Sequence, residues 1–240
     1  MTEARRGMSP DARGTPASNV PAGVVFDLDG TMVDNMALHA EAFAVFAQRH
    51  GLPPLTTADR IRLDGKRNSE IFPILFRRAM DEAEWRAYED EKESLYREIS
   101  AGRLEPLRGL PRLLDALAAR RIPVALATSA PAENVAHTLE EIGLSHPLDV
   151  IVRGDQVPRG KPAPDVFLAA AQRLGVAPAR CLAFEDAPMG VAAAKAAGMT
   201  CVALATSFHA AHWDAADPAP DVVVHDFEEF LDGAGWWLRG

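Results

Sequence analysis

Six short apolar runs recur along the chain: AGVVF (22–26), PVALAT (123–128), DVIV (149–152), CLAFE (181–185), CVALA (201–205) and DVVV (221–224). Most are continuously apolar rather than alternating, the pattern of strands covered on both faces. Helical periodicity separates the later runs, over 109–120, 132–142, 164–174 and 188–197. Gly143, Gly175 and Gly198 stand where three of those helices should end. Strands alternating with helices predict βαβ units, hence an α/β fold with a Rossmann-like, doubly wound parallel sheet.

One stretch breaks this rhythm. From Asn35 to about Arg103 there is no convincing strand, only helical patterns with charged faces such as DEAEWRAYEDEKESLYREI. The expected organisation is an α/β core over 21–34 and 105–240, with a helical cap over 35–104. Asp34, flanked by Val33 and Leu38 at staple spacing, is the expected N-cap of the first inserted helix. Glu91, Lys92 and Glu93 look like a solvated helix face. Residues 1–20 carry Arg5, Arg6 and Arg13 among scattered Pro, Gly and Ser, without an apolar segment, and are expected to be a disordered tail rather than a signal peptide.

The chain has 240 residues, 48% of them hydrophobic and 25% charged, enough for a substantial core. Its formal net charge of −9 argues against a nucleic-acid partner. No apolar window is long enough to span a membrane. Cys181 and Cys201 each open an apolar run and are expected to be buried, reduced thiols. A soluble cytoplasmic protein is the default expectation, and nothing in the residues favours a particular oligomeric state.

Polar groups cluster where the apolar runs stop. Asp27 and Asp29 end the first, in VVFDLDGT; Thr128-Ser129 end the second; Glu185-Asp186 end the fourth. In open α/β sheets the loops at the strands' carboxyl ends form the site. Alternation along an ideal strand sends Asp27 and Asp29 to the same side, and two carboxylates so close call for a cation or a shared proton. Asp-Gly-Thr is also good turn chemistry, and Thr128-Ser129 and Glu185-Asp186 would serve equally as helix caps. These residue types nevertheless suit phosphoryl transfer. A carboxylate can attack phosphorus, and a second acid can protonate the leaving oxygen and then deprotonate water. Mg²⁺ prefers oxygen ligands, while a hydroxyl, backbone amides and a lysine can hold the phosphoryl oxygens. Lys161, in RGKPAPD (159–165), offers that lysine.

DLDGT, the Thr128-Ser129 strand end, Lys161 in GKPAPD and FEDAPMGVAAAKAAGM together resemble the four ordered motifs of the haloacid dehalogenase superfamily, and especially its β-phosphoglucomutase-like phosphatases and mutases. The resemblance covers residues 22 to about 230, and the inserted helices correspond to that superfamily's helical cap. It implies that Asp27 is the nucleophile. Asp29 is the general acid/base, and its backbone carbonyl also binds Mg²⁺. It further implies that Thr128 is the motif hydroxyl, with Ser129 close to the phosphate, and that Lys161 neutralises nucleophile and phosphate. Asp186 binds Mg²⁺, and Glu185 supports the metal directly or through water. Asp27, Asp29, Glu185 and Asp186 are thus the candidate metal residues.

Three further candidates concern the substrate. A lone helical His is more often a packing or surface residue, but the mutase-like relatives carry one at the position of His39, near the acid/base. Lys66 and Arg67 precede an inserted helix, where cations oppose the helix dipole; in the relatives this part of the cap grips the non-reacting end of the substrate. The expected activity is Mg²⁺-dependent hydrolysis of a small phosphorylated metabolite, a sugar phosphate or similar. The alternative is a β-phosphoglucomutase-type isomerase. Against it, Ala130-Pro131 stand where the mutase has Ser-Lys, and Lys66-Arg67 lie earlier in the loop than its cap arginine. DGT in place of the mutase DGV leans the same way. A non-catalytic binding protein is the third reading, opposed by the intact Asp27, Asp29, Lys161 and Asp186.

Overall fold

The computed structural model describes residues 20–144 and 148–233. The expected tail over 1–20 therefore lies, apart from Val20, outside the described residues. All six apolar runs form strands: β1 Gly23–Phe26, β2 Val124–Thr128, β3 Val150–Arg153, β4 Cys181–Glu185, β5 Thr200–Leu204 and β6 Val222–Val224. They pair in parallel in the order β3-β2-β1-β4-β5-β6. The chain builds outward from β1 to β3, then returns to the other side of β1 to begin β4. Strand order thus reverses at β1 and β4, which is where a doubly wound sheet opens a crevice.

Side chains of successive strand residues face opposite layers. Val24 and Phe26 join Leu126, Phe184, the helix α5 (Leu110–Ala119) and the last helix described, Phe227–Asp232, in one apolar cluster. Phe26 stacks on Phe184 with centroids 5.0 Å apart, and Phe227 meets both edge-on. Val25 instead faces Ala125, Ala183 and Cys201, against α7 (Asp165–Leu174) and α8 (Pro188–Ala196). Both cysteines are buried and free. The helix α6 (Ala132–Ile142) follows β2, and Gly143 and Gly175 cap α6 and α7 with φ of 55° and 70°, in the left-handed region that favours glycine.

Between β1 and α5 stand α1 (Met36–Arg49), α2 (Thr57–Leu63), α3 (Asn68–Leu75) and α4 (Glu82–Ser100). They carry an apolar cluster of their own, built on Leu38, Phe46, Phe72, Leu95 and Tyr96. Among the described residues no helix is long and apolar enough to cross a membrane.

Two expectations fail here. Asp34 is exposed and does not cap α1; Asn35 occupies that position, without capping it through its side chain. The Asn35 carboxamide is committed elsewhere, accepting from the Gly30 amide at 3.0 Å and donating to Asp29 and to the Tyr96 hydroxyl at 2.6 Å each. Nor are Lys92 and Glu93 solvated: they are 2% and 4% exposed, whereas Glu91 is half-buried and pairs with Arg49 and His50. Lys92 stands one turn from both Tyr88 and Tyr96, so it belongs to the stripe of α4 that faces the interior.

Candidate active site

The sheet register places the first two acids side by side. Phe26 pairs with Phe184, so the next residues, Asp27 and Glu185, leave neighbouring strand ends toward the same layer. On that layer α7 packs, and the loop before it delivers Lys161, 1% exposed, between them. Lys161 Nζ donates to Asp27 Oδ1 at 2.5 Å and to Glu185 Oε1 at 2.6 Å. The other Glu185 oxygen accepts from the backbone amides of Asp186 and Ala187. This approach needs Gly190 on α8, because a Cβ there would lie 1.7 Å from Glu185 Oε1. Asp186 accepts from Thr31 Oγ1 at 3.3 Å and from the Ser207 hydroxyl.

Asp27, Glu185 and Asp186 offer oxygens that all lie within 4.8 Å of one another. One buried lysine faces three buried carboxylates. Burial pushes Asp27 up to about 8, with Lys161 opposing and Glu185 adding to the rise. Asp186 is also raised well above its ordinary value, by burial and then by Glu185 and Asp27. Lys161 loses from burial but gains more from Asp27 and Glu185, and its ammonium is strengthened. A divalent cation would relieve this excess of negative charge, and an all-oxygen donor set suits Mg²⁺. The residues present fit such an ion. The Asp29 carboxylate stands outside this cluster, and the ligand expected from Asp29 is its main-chain carbonyl.

Asp29 turns away to a different neighbourhood. Its Oδ1 accepts from Asn35 and lies 3.4 Å from His39 Nε2. At that separation Nε2 faces the carboxylate without hydrogen-bond alignment, and it has no well-formed partner. Burial alone would raise Asp29; His39 and the Asn35 hydrogen bond outweigh it and hold the carboxyl below its ordinary value. His39 stacks on Tyr96 with ring centroids 3.7 Å apart, and its Nδ1 lies 3.0 Å from Lys92 Nζ. Two acids two residues apart therefore occupy opposite electrostatic settings, Asp27 raised and Asp29 lowered. In the metal-free site these directions are the reverse of what a nucleophile and a general acid need, and a divalent cation beside Asp27 would bring its carboxyl down.

Thr128 ends β2 buried, and its Oγ1 accepts from the Ala130 amide at 3.0 Å, shaping the turn into α6. Ser129 Oγ donates to the Gly65 carbonyl at 2.7 Å, tying this loop to the helical insertion. The cavity above Asp27, about 100 Å³, reaches from Thr128 and Ser129 to His39, Lys66, Lys92 and Glu93. Lys66 lines it. Arg67 does not: its guanidinium reaches Glu70 and the Gly154 and Val157 carbonyls across the seam. Sequence reasoning missed Asn35, Asn68, Lys92, Glu93 and Asn134, all polar and all at or beside this cavity. The Tyr88-Lys92-Tyr96 spacing was the one signal available for any of them.

Residues 21–198 match the sequence profile of haloacid dehalogenase-like hydrolases. A phosphorylated carbohydrates phosphatase of Thermotoga maritima is 35% identical over 181 residues, covering 73% of this chain and 81% of that protein. A fructose-1-phosphate phosphatase of Escherichia coli K12 is likewise 35% identical over 181 residues, covering 75% of this chain and 95% of that one. Among solved structures, a haloacid dehalogenase hydrolase of family IA, variant 3, from Entamoeba histolytica superposes with a TM-score of 0.79 at 27% identity, covering 91% of this chain and 99% of the other. A strand order reversing at Asp27, a lysine bridging two strand-end acids and a profile match over most of the chain agree: this protein belongs to the haloacid dehalogenase-like hydrolase family.

Proposed function

We propose that this chain is a Mg²⁺-dependent phosphatase of small phosphorylated carbohydrates that works through an aspartyl-phosphate on Asp27. The observation that carries the reading is geometric: Lys161 bridges Asp27 and Glu185 at adjoining strand ends, and their oxygens lie within 4.8 Å of one another and of Asp186. Asp27 Oδ1 is held by Lys161, which orients the carboxylate for attack on phosphorus. Asp29 is ionised in the substrate-free site and suited to deprotonate the water that hydrolyses the acyl-phosphate. To protonate the leaving sugar oxygen first, it takes up a proton as the phosphate's negative charge enters beside it. Thr128, Ser129 and their loop amides receive the phosphoryl oxygens, and Lys161 balances their charge. Mg²⁺, held by Asp27, Asp186 and the Asp29 carbonyl with Glu185 in support, would neutralise the charge shared by nucleophile and phosphate.

The substrate class rests on the cavity and on the relatives. Above Asp27 the four inserted helices act as a cap whose polar lining alternates donors and acceptors: His39, Arg60, Asp64, Lys66, Asn68 and Glu93. Arg60 pairs with Asp64 and Lys92 with Glu93, so Lys66 is the lining cation of the cap without an ion-pair partner among the described residues. Such a lining suits a neutral polyhydroxyl body better than a second phosphate, which favours a phosphatase over a mutase. Both curated relatives described above act, by name, on phosphorylated carbohydrates.

A panel of hexose, hexitol and ketose monophosphates, assayed for phosphate release with Mg²⁺ and with excess chelator, tests this. The expected result is Mg²⁺-dependent release from one or more of them. β-Glucose 1-phosphate with a catalytic bisphosphate should give little glucose 6-phosphate. Efficient isomerisation with negligible phosphate release would establish the mutase instead.

A further inference from the structure

Lys92 and Glu93 form a buried ion pair in the insertion, and Glu93 does more than balance Lys92. Its Oε1 accepts from Asn68 Nδ2 at 2.7 Å, and its Oε2 accepts from Asn134 Nδ2 at 2.6 Å. Lys92 Nζ lies 3.0 and 3.1 Å from the two oxygens. Asn68 belongs to α3 of the insertion, but Asn134 belongs to α6 of the α/β core. It is 1% exposed and sits in the first turn after the Thr128–Pro131 loop. Its Oδ1 accepts from Arg97 Nη1 at 2.8 Å. Glu93 and Arg97 are one helical turn apart on α4, so one face of that helix holds both ends of a single core carboxamide.

The same Lys92 ammonium that Glu93 holds lies against His39 Nδ1, and His39 Nε2 faces Asp29. A continuous set of buried polar contacts therefore runs from Asn134 in the core, through Glu93 and Lys92 in the insertion, to His39 beside Asp29. Without Asn134, Glu93 keeps its lysine but loses its tie to the core, and Lys92, still held by Glu93 and the Phe43 ring, is less constrained relative to Asp29, although the Tyr96–Asn35 hydrogen bond beside Asp29 remains. Buried polar sets of this kind are sensitive to a single missing partner.

We propose that Asn134 and Glu93 form a latch across the seam between cap and core, and that Asn134 is thereby a positioning residue for the acid/base. When cap and core are closed, the latch fixes Lys92 and His39 against Asp29; when it is open, the acid/base is misaligned and leaving-group protonation slows. Ser129 Oγ to the Gly65 carbonyl and Arg67 to the Gly154 and Val157 carbonyls also cross the seam. Neither of those leads to Asp29.

The inference rests on the phosphatase reading, and its test separates the two. Wild-type protein is first assayed on the monophosphate panel with Mg²⁺; no turnover there counts against the proposed function. With a working substrate in hand, Asn134→Asp, Glu93→Gln and the double variant are compared with wild type. Asn134→Asp sets carboxylate against carboxylate and breaks the latch. The double variant restores an amide–carboxylate bond with reversed polarity, a coupling that a two-variant cycle isolates. Asn134→Asp is expected to lower kcat on a sugar phosphate about tenfold or more while KM changes less. Its first-step phosphorylation by p-nitrophenyl phosphate, whose leaving group needs no proton, should fall far less. The double variant should recover most of the kcat. A folded Asn134→Asp with unchanged kcat, a loss in KM alone, equal losses for both substrates, or a double variant no better than the single one would overturn the proposal. If Asn134→Asp fails to fold, Asn134→Ala is read by the same split between substrates, and equal losses there overturn it equally.

Discussion

At the residue scale, two strand ends in register force Asp27 and Glu185 together, and Lys161 is what makes that proximity tolerable without an ion. The arrangement depends on a missing methyl at Gly190. Inside a helix, Gly→Ala would ordinarily stabilise by about 1 kcal/mol. Here the added Cβ meets Glu185 Oε1 at 1.7 Å, and forced displacement in a packed interior costs about 1–3 kcal/mol. Sterics therefore outweigh propensity, and Gly190→Ala should lower the melting temperature rather than raise it. It should also weaken Mg²⁺ binding, because Glu185 carries Lys161 and the Asp186 and Ala187 amides with it. Calorimetric Mg²⁺ titration of the purified variant checks this; unchanged affinity in a folded Gly190→Ala protein would contradict the packing account.

At the scale of elements, the loop before α3 divides its two cations between different tasks. Lys66 lines the cavity and Arg67 docks on the loop after β3. Lys66→Ala should raise KM for a sugar phosphate several-fold more than for p-nitrophenyl phosphate, which has no distal hydroxyls. Arg67→Ala should instead lower activity on both substrates alike, since it loosens the seam rather than a substrate contact. Steady-state kinetics on the two substrates separate these outcomes, and identical profiles for both variants would contradict the division. The six strands and the helices between them were legible because continuous apolar runs and 3.6-residue periodicity are tertiary packing written directly into sequence. The Asp27, Lys161 and Glu185-Asp186 positions were legible because they fall at strand ends in motif order. Lys92 and Glu93 were not, because a charged helix segment reads as solvated until its partners, Asn134 from a distant helix among them, are known. Asp34 was mistaken for a cap for a similar reason: the carboxamide beside it, Asn35, is recruited by Asp29 and Tyr96, which sequence spacing does not reveal.

At the scale of the whole molecule, a protein of net charge −9 concentrates three carboxylates in its interior and must offset them to bind an anion. The sign of the pH dependence follows. The Asp27 carboxyl is raised from 3.8 to about 8, so between those values the folded state holds a proton that the unfolded state has lost. Stability of the metal-free protein is fully present below that window and falls as pH rises through it; Asp186, also raised, acts in the same direction. Mg²⁺ competes with those protons, so its binding strengthens as pH rises. Melting temperature in excess chelator should therefore decline from about pH 5.5 to about pH 8, and the increment given by Mg²⁺ should be larger at the upper end. A Mg²⁺ increment independent of pH would contradict the acid-cluster account. In the proposed reaction Asp27 carries the phosphoryl group. Rapid acid quench of enzyme turning over a sugar phosphate in Mg²⁺, followed by peptide mass spectrometry, tests it most directly. The expected result is a phosphoryl adduct on Asp27 in wild type, with none and no turnover in a folded Asp27→Asn protein; phosphate release by Asp27→Asn near the wild-type rate would contradict the account.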